Sequence, residues 1–209
     1  DKLLEDLSKN GRWSRMDGLV DTFTGAGLEL VLVVGAGYRK EAPLFTTANG
    51  SKIPASPDRI GRDVYIAMAR WLAGAGARRY GAKVRVWQVE NEINLASMVS
   101  LIGWRVAERS WADKNFLAEL LAALSATVHA EGARAGRELK TTHNFAAGMV
   151  GWQNIDLGED IASLRAGHLD IVGVDVYANY FAGYPLGDGE VGKVVAQALP
   201  ENEVRLLKD

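Results

Sequence analysis

The sequence predicts an α/β fold built on a parallel sheet. Short apolar runs rich in β-branched residues read as strands, amphipathic stretches with helical spacing read as helices, and the two kinds alternate along the chain. The strands are apolar at successive positions rather than at alternate ones. That is the mark of strands covered on both faces and joined by right-handed helical crossovers.

A first helix is expected over residues 12–24, stopped by Gly25-Ala26-Gly27. The first strand follows at residues 28–34 and ends at Gly35-Ala36-Gly37. Pro43, Pro54 and Pro57 punctuate a long loop, and the Pro57-Asp58 pair opens a second helix over residues 58–79. Its Ile60, Val64, Met68, Trp71 and Leu72 recur with the helical period and predict the stripe that packs on the sheet. The second strand covers residues 84–89 and stops at Glu90-Asn91-Glu92. A third helix over residues 116–130, with Asp113 as its cap, carries Phe116, Leu117, Leu120, Leu121, Leu124 and Val128 on one face. Further strands are read at residues 138–144 and 169–177, a helix at 190–199 ended by Pro200, and a last strand at 203–207.

Composition bounds the function. With 209 residues, 48% of them hydrophobic and 24% charged, residues 1–209 are expected to form one globular domain. The 24 Lys and Arg nearly balance the 26 Asp and Glu and form no basic block, so nucleic acid is not an expected partner. The longest apolar run, residues 30–34, is far short of the ~20 residues that span a bilayer. A membrane is therefore not expected either. Cysteine is absent, which removes disulfides, thiolate nucleophiles and Cys-based zinc sites. The three histidines, His129, His143 and His168, have no ligand-like spacing, so neither a metal nor another cofactor is expected. A Gly-x-Ser-x-Gly elbow is also missing, which leaves a serine hydrolase unsupported.

The chemistry concentrates where the second strand ends, at Trp87-Gln88-Val89-Glu90-Asn91-Glu92. A carboxylic acid at the C-terminal end of a parallel strand can protonate the departing oxygen of a glycosidic bond. An amide beside it can hydrogen-bond the hydroxyl next to the reacting carbon. The plainer reading is an acidic loop in which Glu90 and Glu92 are solvated.

The Trp-Gln-x-x-Asn-Glu pattern at residues 87–92 resembles the fourth-strand signature of the clan A retaining glycoside hydrolases. The resemblance implies a (β/α)₈ barrel, a carbohydrate substrate, Glu92 as the general acid/base and Asn91 as the sugar-binding amide before it. Thr141-Thr142-His143-Asn144-Phe145 resembles the fifth strand of such barrels, and Leu169-Asp170-Ile171-Val172-Gly173-Val174-Asp175-Val176-Tyr177 the sixth. Among members, these segments are most similar to the β-galactosidases of glycoside hydrolase family 42. Residues 28–35 then correspond to the third strand, and residues 10–20 to the loop and helix entry after the second. One departure is Ile93, where many members have Pro.

On this alignment the third to sixth strands are clear and residues 203–207 begin a seventh, so the chain is expected to form an incomplete barrel, against the eight strands and ~250 residues of a closed one. The resemblance implies a nucleophilic Glu at the end of the seventh strand, and no residue of this sequence is assigned to it. Sugar contacts are expected from His143 and Asn144 at the end of the fifth strand, and from Asp175 and Tyr177, which share a face of the sixth with Gly173. Trp152, in a Gly-flanked loop, is the leading candidate to stack on a sugar ring, with Trp104 and Trp111 next; Trp71 and Trp87 are expected in the core.

Two other readings stay open. One is a carbohydrate-binding barrel without turnover. The other is a nucleotide-binding α/β protein, since Gly35-Ala36-Gly37 follows a strand, although Lys40 stands at the third position of the Gly-x-Gly-x-x-Gly pattern and no helix follows directly.

Overall fold

The computed structural model describes residues 12–35, 44–46, 52–54, 57–95, 109–146, 161–164 and 168–175. Helix α1 (Arg12–Gly25) leads into β1 (Val31–Val34), and a short hairpin of β2 (Leu44–Thr46) and β3 (Lys52–Pro54) follows. Next come α2 (Pro57–Ile60), α3 (Arg62–Tyr80), β4 (Val86–Val89), α4 (Lys114–Arg134), β5 (Lys140–Ala146) and β6 (Ile171–Asp175). The main sheet has four strands in the order β1-β4-β5-β6, all parallel, with the hairpin forming a separate two-stranded sheet. The predicted α/β class and parallel sheet are therefore present.

Register divides the sheet into two unlike faces. Leu32 pairs with Trp87 and Trp87 with Thr141, so these residues share the face that α3 and α4 cover. Trp87, Val89, Phe145 and the α4 residues Phe116, Leu117, Leu120, Leu121, Leu124 and Val128 are buried there. Burying one such large side chain contributes about 1.5–3 kcal/mol, so this layer dominates the stability of the domain. The opposite face carries Val33, paired with Gln88, and Thr142, paired with Gln88 and Ile171. On that face Val31, Val33 and Ile171 are 53%, 52% and 41% exposed.

Several expectations need correction. The first strand is shorter than residues 28–34 and alternates, with only Leu32 and Val34 packed toward the helices. The helix expected over 58–79 is two helices, broken at Gly61, whose φ of 91° leaves the helical region. The predicted stripe holds in part: Ile60 and Met68 pack against the core, but the rest of the sheet-facing side of α3 is made of other residues. Val64 and Leu72 are exposed and Trp71 is half-buried, while Tyr65, Ile66, Ala69, Ala73, Ala77 and Tyr80 are buried. Small residues let α3 approach the sheet closely: a β-carbon at Gly76 would lie 3.3 Å from the Trp87 ring. The hairpin was not anticipated, because Pro43 and Pro54 read as loop punctuation; Pro54 closes β3 opposite Leu44.

Polar clamps fix the helices and strand ends. Arg79 of α3 forms a two-pronged ion pair with Asp17 of α1 at 2.7 and 2.6 Å, and Tyr80 donates to the same carboxylate at 2.9 Å. The Arg79 hydrogen bond holds Asp17 below the usual carboxylate range, and burial with the Asp17 contact pushes the Tyr80 phenol up to about 12. Asp113 caps α4 as predicted, accepting from the backbone N–H of Asn115 and Phe116. At the start of the sheet, Asp170 accepts from Thr141 N at 2.6 Å, Thr141 Oγ1 at 3.1 Å and His129 Nε2 at 2.7 Å, tying β6 to β5 and α4.

Burial alone would raise the Asp170 carboxyl, but the hydrogen bonds from Thr141 and His129 outweigh it and hold the group below its ordinary value. A depressed carboxyl stabilises the fold above its unfolded pKa of about 3.9, and that contribution is lost as pH falls through the lower folded value. Asp170→Ala should therefore cost about 1 kcal/mol at pH 7, and the gap to wild type should narrow below about pH 4. Urea midpoints at both pH values measure it.

Candidate active site

At the C-terminal end of β4 the chain makes an abrupt turn. Glu90 and Glu92 both adopt left-handed backbone conformations, with φ of 59° and 49°. Such a geometry costs a side-chain-bearing residue about 1–3 kcal/mol and persists only when its surroundings hold it. Two backbone hydrogen bonds do so here, Glu90 N to Val34 O at 2.8 Å and Glu92 N to Asn144 O at 3.1 Å. The turn is thereby tied to the ends of both neighbouring strands.

The turn gathers four polar side chains. Gln88, on the open face of the sheet, donates from Nε2 to the Glu90 carbonyl at 3.1 Å, to Asn91 Oδ1 at 2.9 Å and to Asn144 Oδ1 at 2.5 Å. Asn144 donates from Nδ2 to Asn91 Oδ1 at 3.0 Å, and Asn91 donates from Nδ2 to Glu92 Oε2 at 3.2 Å. Gly173, paired with Asn144 across β5 and β6, leaves room for this arrangement: a β-carbon there would lie 3.3 Å from Asn144 Cα. Gln88, Asn91, Glu92 and Asn144 are each half-buried. A carboxyl group at the mouth of a parallel sheet, with amide donors around it, can hold or release a proton toward a bound molecule.

Of the expected site residues, Glu92, Asn91 and Asn144 come together. His143 stands on the other face of β5, 0% exposed, with Nδ1 2.7 Å from the Val89 carbonyl and its ring edge-on to Phe145 at 4.8 Å. Strand alternation puts it among the helix-packed side chains, away from Asn144. Asp175 closes β6 in register with Ala146. Tyr177, Trp152 and Trp104 lie outside the described residues. Trp111, ranked as a stacking residue, is instead 2% exposed and packs edge-to-face on Tyr65 at 5.5 Å. Among the described residues, no group of three or more His, Asp or Glu side chains is placed to hold a metal ion, and no helix is long and apolar enough to cross a membrane.

Two residues of the site were not singled out in advance. Gln88 was readable as the polar member of an apolar strand. Glu90, which the acidic-loop reading would put in solvent, is fully buried, and its carboxyl group lies over Gly35 at the end of β1. A β-carbon at Gly35 would fall 2.4–2.7 Å from the Glu90 carboxyl atoms. That carboxyl group fills the space directly over the Gly35 backbone.

No protein-family model matches the sequence, and no curated protein matches it. Among solved structures, the fold is similar to β-galactosidase from the psychrophilic Marinomonas ef1, with a TM-score of 0.46 and 14% identity over 85% of this chain and 35% of that one. It is also similar to a polyextremophilic β-galactosidase from the Antarctic haloarchaeon Halorubrum lacusprofundi, with a TM-score of 0.41 and 15% identity over 85% of this chain and 34% of that one. The chain thus spans about a third of the length of these two proteins.

The Gly35 contact yields a stability test with an internal control. Gly27 also has positive φ, at 79°, but a β-carbon there would meet nothing within 4 Å, whereas Gly35, at 119°, would press on Glu90. Gly35→Ala should lower the urea-unfolding free energy by at least about 1 kcal/mol more than Gly27→Ala, which bears only the backbone cost.

Proposed function

We propose that residues 1–209 belong to a (β/α)₈-barrel domain of a retaining glycoside hydrolase, of clan A and similar to family 42, with Glu92 as its general acid/base. The observation that carries the proposal is the Glu92 carboxyl group itself. It stands at the C-terminal end of a parallel strand, where barrel enzymes hold their catalytic groups, and it accepts a hydrogen bond from the adjacent Asn91 amide at 3.2 Å.

The winding of the sheet supports a barrel over a doubly wound fold. Among the described strands, the order β1-β4-β5-β6 follows chain order, whereas a doubly wound sheet reverses. Among the described residues, α3 and α4 lie on one face, and the other carries exposed Val31, Val33 and Ile171 beside the amide cluster. Apolar side chains on the face opposite the covering helices are what a barrel interior is made of.

In this reading the Glu92 carboxylic acid gives its proton to the glycosidic oxygen as the bond from that oxygen to the anomeric carbon breaks. A second carboxylate bonds to the same carbon, and the alcohol or sugar leaves. Glu92, now ionised, takes a proton from water; the water oxygen bonds to the anomeric carbon, the ester to the second carboxylate breaks, and the sugar is released. That second carboxylate belongs after the seventh strand of the barrel and is assigned to no residue here. Asn91 binds the hydroxyl beside the anomeric carbon, and Asn144, Asp175, Tyr177 and Trp152 contribute sugar contacts. His143, packed beneath the strand, has no direct contact in this scheme.

Glu92→Gln should lower kcat/KM for glycosides with poor leaving groups by about 10²–10⁴-fold. Activated aryl glycosides need little protonation, so their first step should suffer far less. With the full-length enzyme as the reference, unchanged turnover of both classes would exclude Glu92 as the acid/base, and a full-length enzyme inert toward every aryl glycoside would exclude the hydrolase.

A further inference from the structure

We propose that the protein binds a small oxyanion, a phosphate or a carboxylate, in an arginine-lined cavity between the last turns of α3 and α4, at the end of the sheet opposite Glu92. This site does not depend on the glycosidase reading. The cavity measures about 240 Å³ and is walled by Arg78 of α3, Glu131 and Arg134 of α4, and Arg137 of the turn into β5. The buried Ala77 and Leu139 supply its apolar part.

Two glycines at the end of α4 build this wall. Gly136 has a φ of 64°, and its N–H bonds to the Ala133 carbonyl at 3.0 Å while the Arg137 N–H bonds to the Gly132 carbonyl at 2.9 Å. That pair of bonds is a Schellman turn, which closes the helix and folds the chain back over its last turn. Gly132 makes the return possible, since a β-carbon there would lie 2.8 Å from the Arg137 carbonyl oxygen and 2.9 Å from Leu139 Cγ. Arg137 is thereby brought to the same wall as Arg134.

The charges on the wall do not balance. Glu131 Oε1 accepts from Arg78 Nη1 at 2.6 Å and from Arg134 Nη1 at 2.8 Å. One carboxylate, its side chain 6% exposed, thus serves two guanidinium groups whose side chains remain 50% and 71% exposed. A guanidinium has five N–H donors, so most of each fork is left for a further acceptor. Arg137 is exposed and has no side-chain hydrogen bond or ion pair among the described residues. The C-termini of α3 and α4 favour cations here, each acting as about half a negative charge, but together with Glu131 they offset only about two of the three positive charges.

Size and geometry select the ligand. The cavity is smaller than the ~300–1,000 Å³ of pockets that take drug-sized molecules, and guanidinium forks match the paired oxygens of phosphate and carboxylate. A second cationic cavity, at Lys83, Arg85 and Lys140, lacks the excess charge. There Lys83 pairs with Asp21 at 2.5 Å, Arg85 and Lys140 share Glu138 at 3.4 and 3.5 Å, and Glu29 adds a further carboxylate to the lining.

The test is isothermal titration calorimetry of the full-length protein with inorganic phosphate and, separately, citrate, in a buffer of low chloride. Saturable binding of either probe supports the site, and the tighter of the two names the class, phosphate or carboxylate. Arg137→Gln removes an exposed side chain with no partner among the described residues, so the urea midpoint should stay in place while binding weakens by about tenfold or more. Arg134→Gln should weaken it as well. Lys140→Gln, which removes a cation from the other cavity, should leave it unchanged. No saturable binding of either probe, wild-type affinity in Arg137→Gln, or an equal loss in Lys140→Gln overturns the proposal. Glycoside turnover is not read here, so none of these outcomes bears on Glu92.

Discussion

The hydrogen bond from the Glu92 backbone N–H to the Asn144 carbonyl, at 3.1 Å, joins the turn after β4 to the end of β5, and the rest of the site depends on it. Two left-handed residues in three positions would not hold their shape in an isolated loop. They hold it here because Glu90 is tied to β1 through Val34 and Glu92 is tied to β5 through Asn144. The parallel register supplies the alignment, since Gln88 beside Thr142 puts Asn144 one step further along the same face. The helix layer under Trp87 and Phe145 keeps that register fixed, and the amide cluster is assembled as a consequence of sheet packing.

The parts of the fold that were legible in the sequence are those written in large side chains. The face of α4 could be read directly because Leu120, Leu121, Leu124 and Val128 both repeat with the helical period and make the core. The face of α3 could not, because it contacts the sheet through Ala69, Ala73, Gly76 and Ala77, which carry little hydrophobic signal. Close approach between a helix and a strand selects small residues, and Val64 and Leu72 are left outside although they share the helical spacing. Strand existence was readable while strand ends were not. Leu28 belongs to an apolar run but stands exposed before β1 begins.

The candidate site was legible to the extent that it is a motif. Asn91, Glu92 and Asn144 were found because an amide and an acid after a strand, and an amide after the next, are chemically conspicuous. His143 is one residue from Asn144 and on the opposite face, a distinction that depends on register and that alternation settles only once the inward face is known. The burial of Glu90 is not legible for a different reason. Its positive φ turns the side chain out of the strand's alternation and over Gly35, and an acidic residue in a loop gives no sign of that in the sequence. Gly35, which reads in the sequence as the start of a glycine loop, leaves space for the Glu90 carboxyl group from the turn after the neighbouring strand.

In the proposed reaction Glu92 of the full-length enzyme supplies and removes the protons of a two-step glycoside hydrolysis. Azide rescue of Glu92→Ala tests it most directly, because azide attacks a glycosyl-enzyme without needing a general base. With an activated aryl glycoside, the account predicts that azide accelerates turnover of the variant and that ¹H NMR shows a glycosyl azide of the same anomeric configuration as the substrate. Turnover indifferent to azide, or a glycosyl azide of inverted configuration, would contradict it.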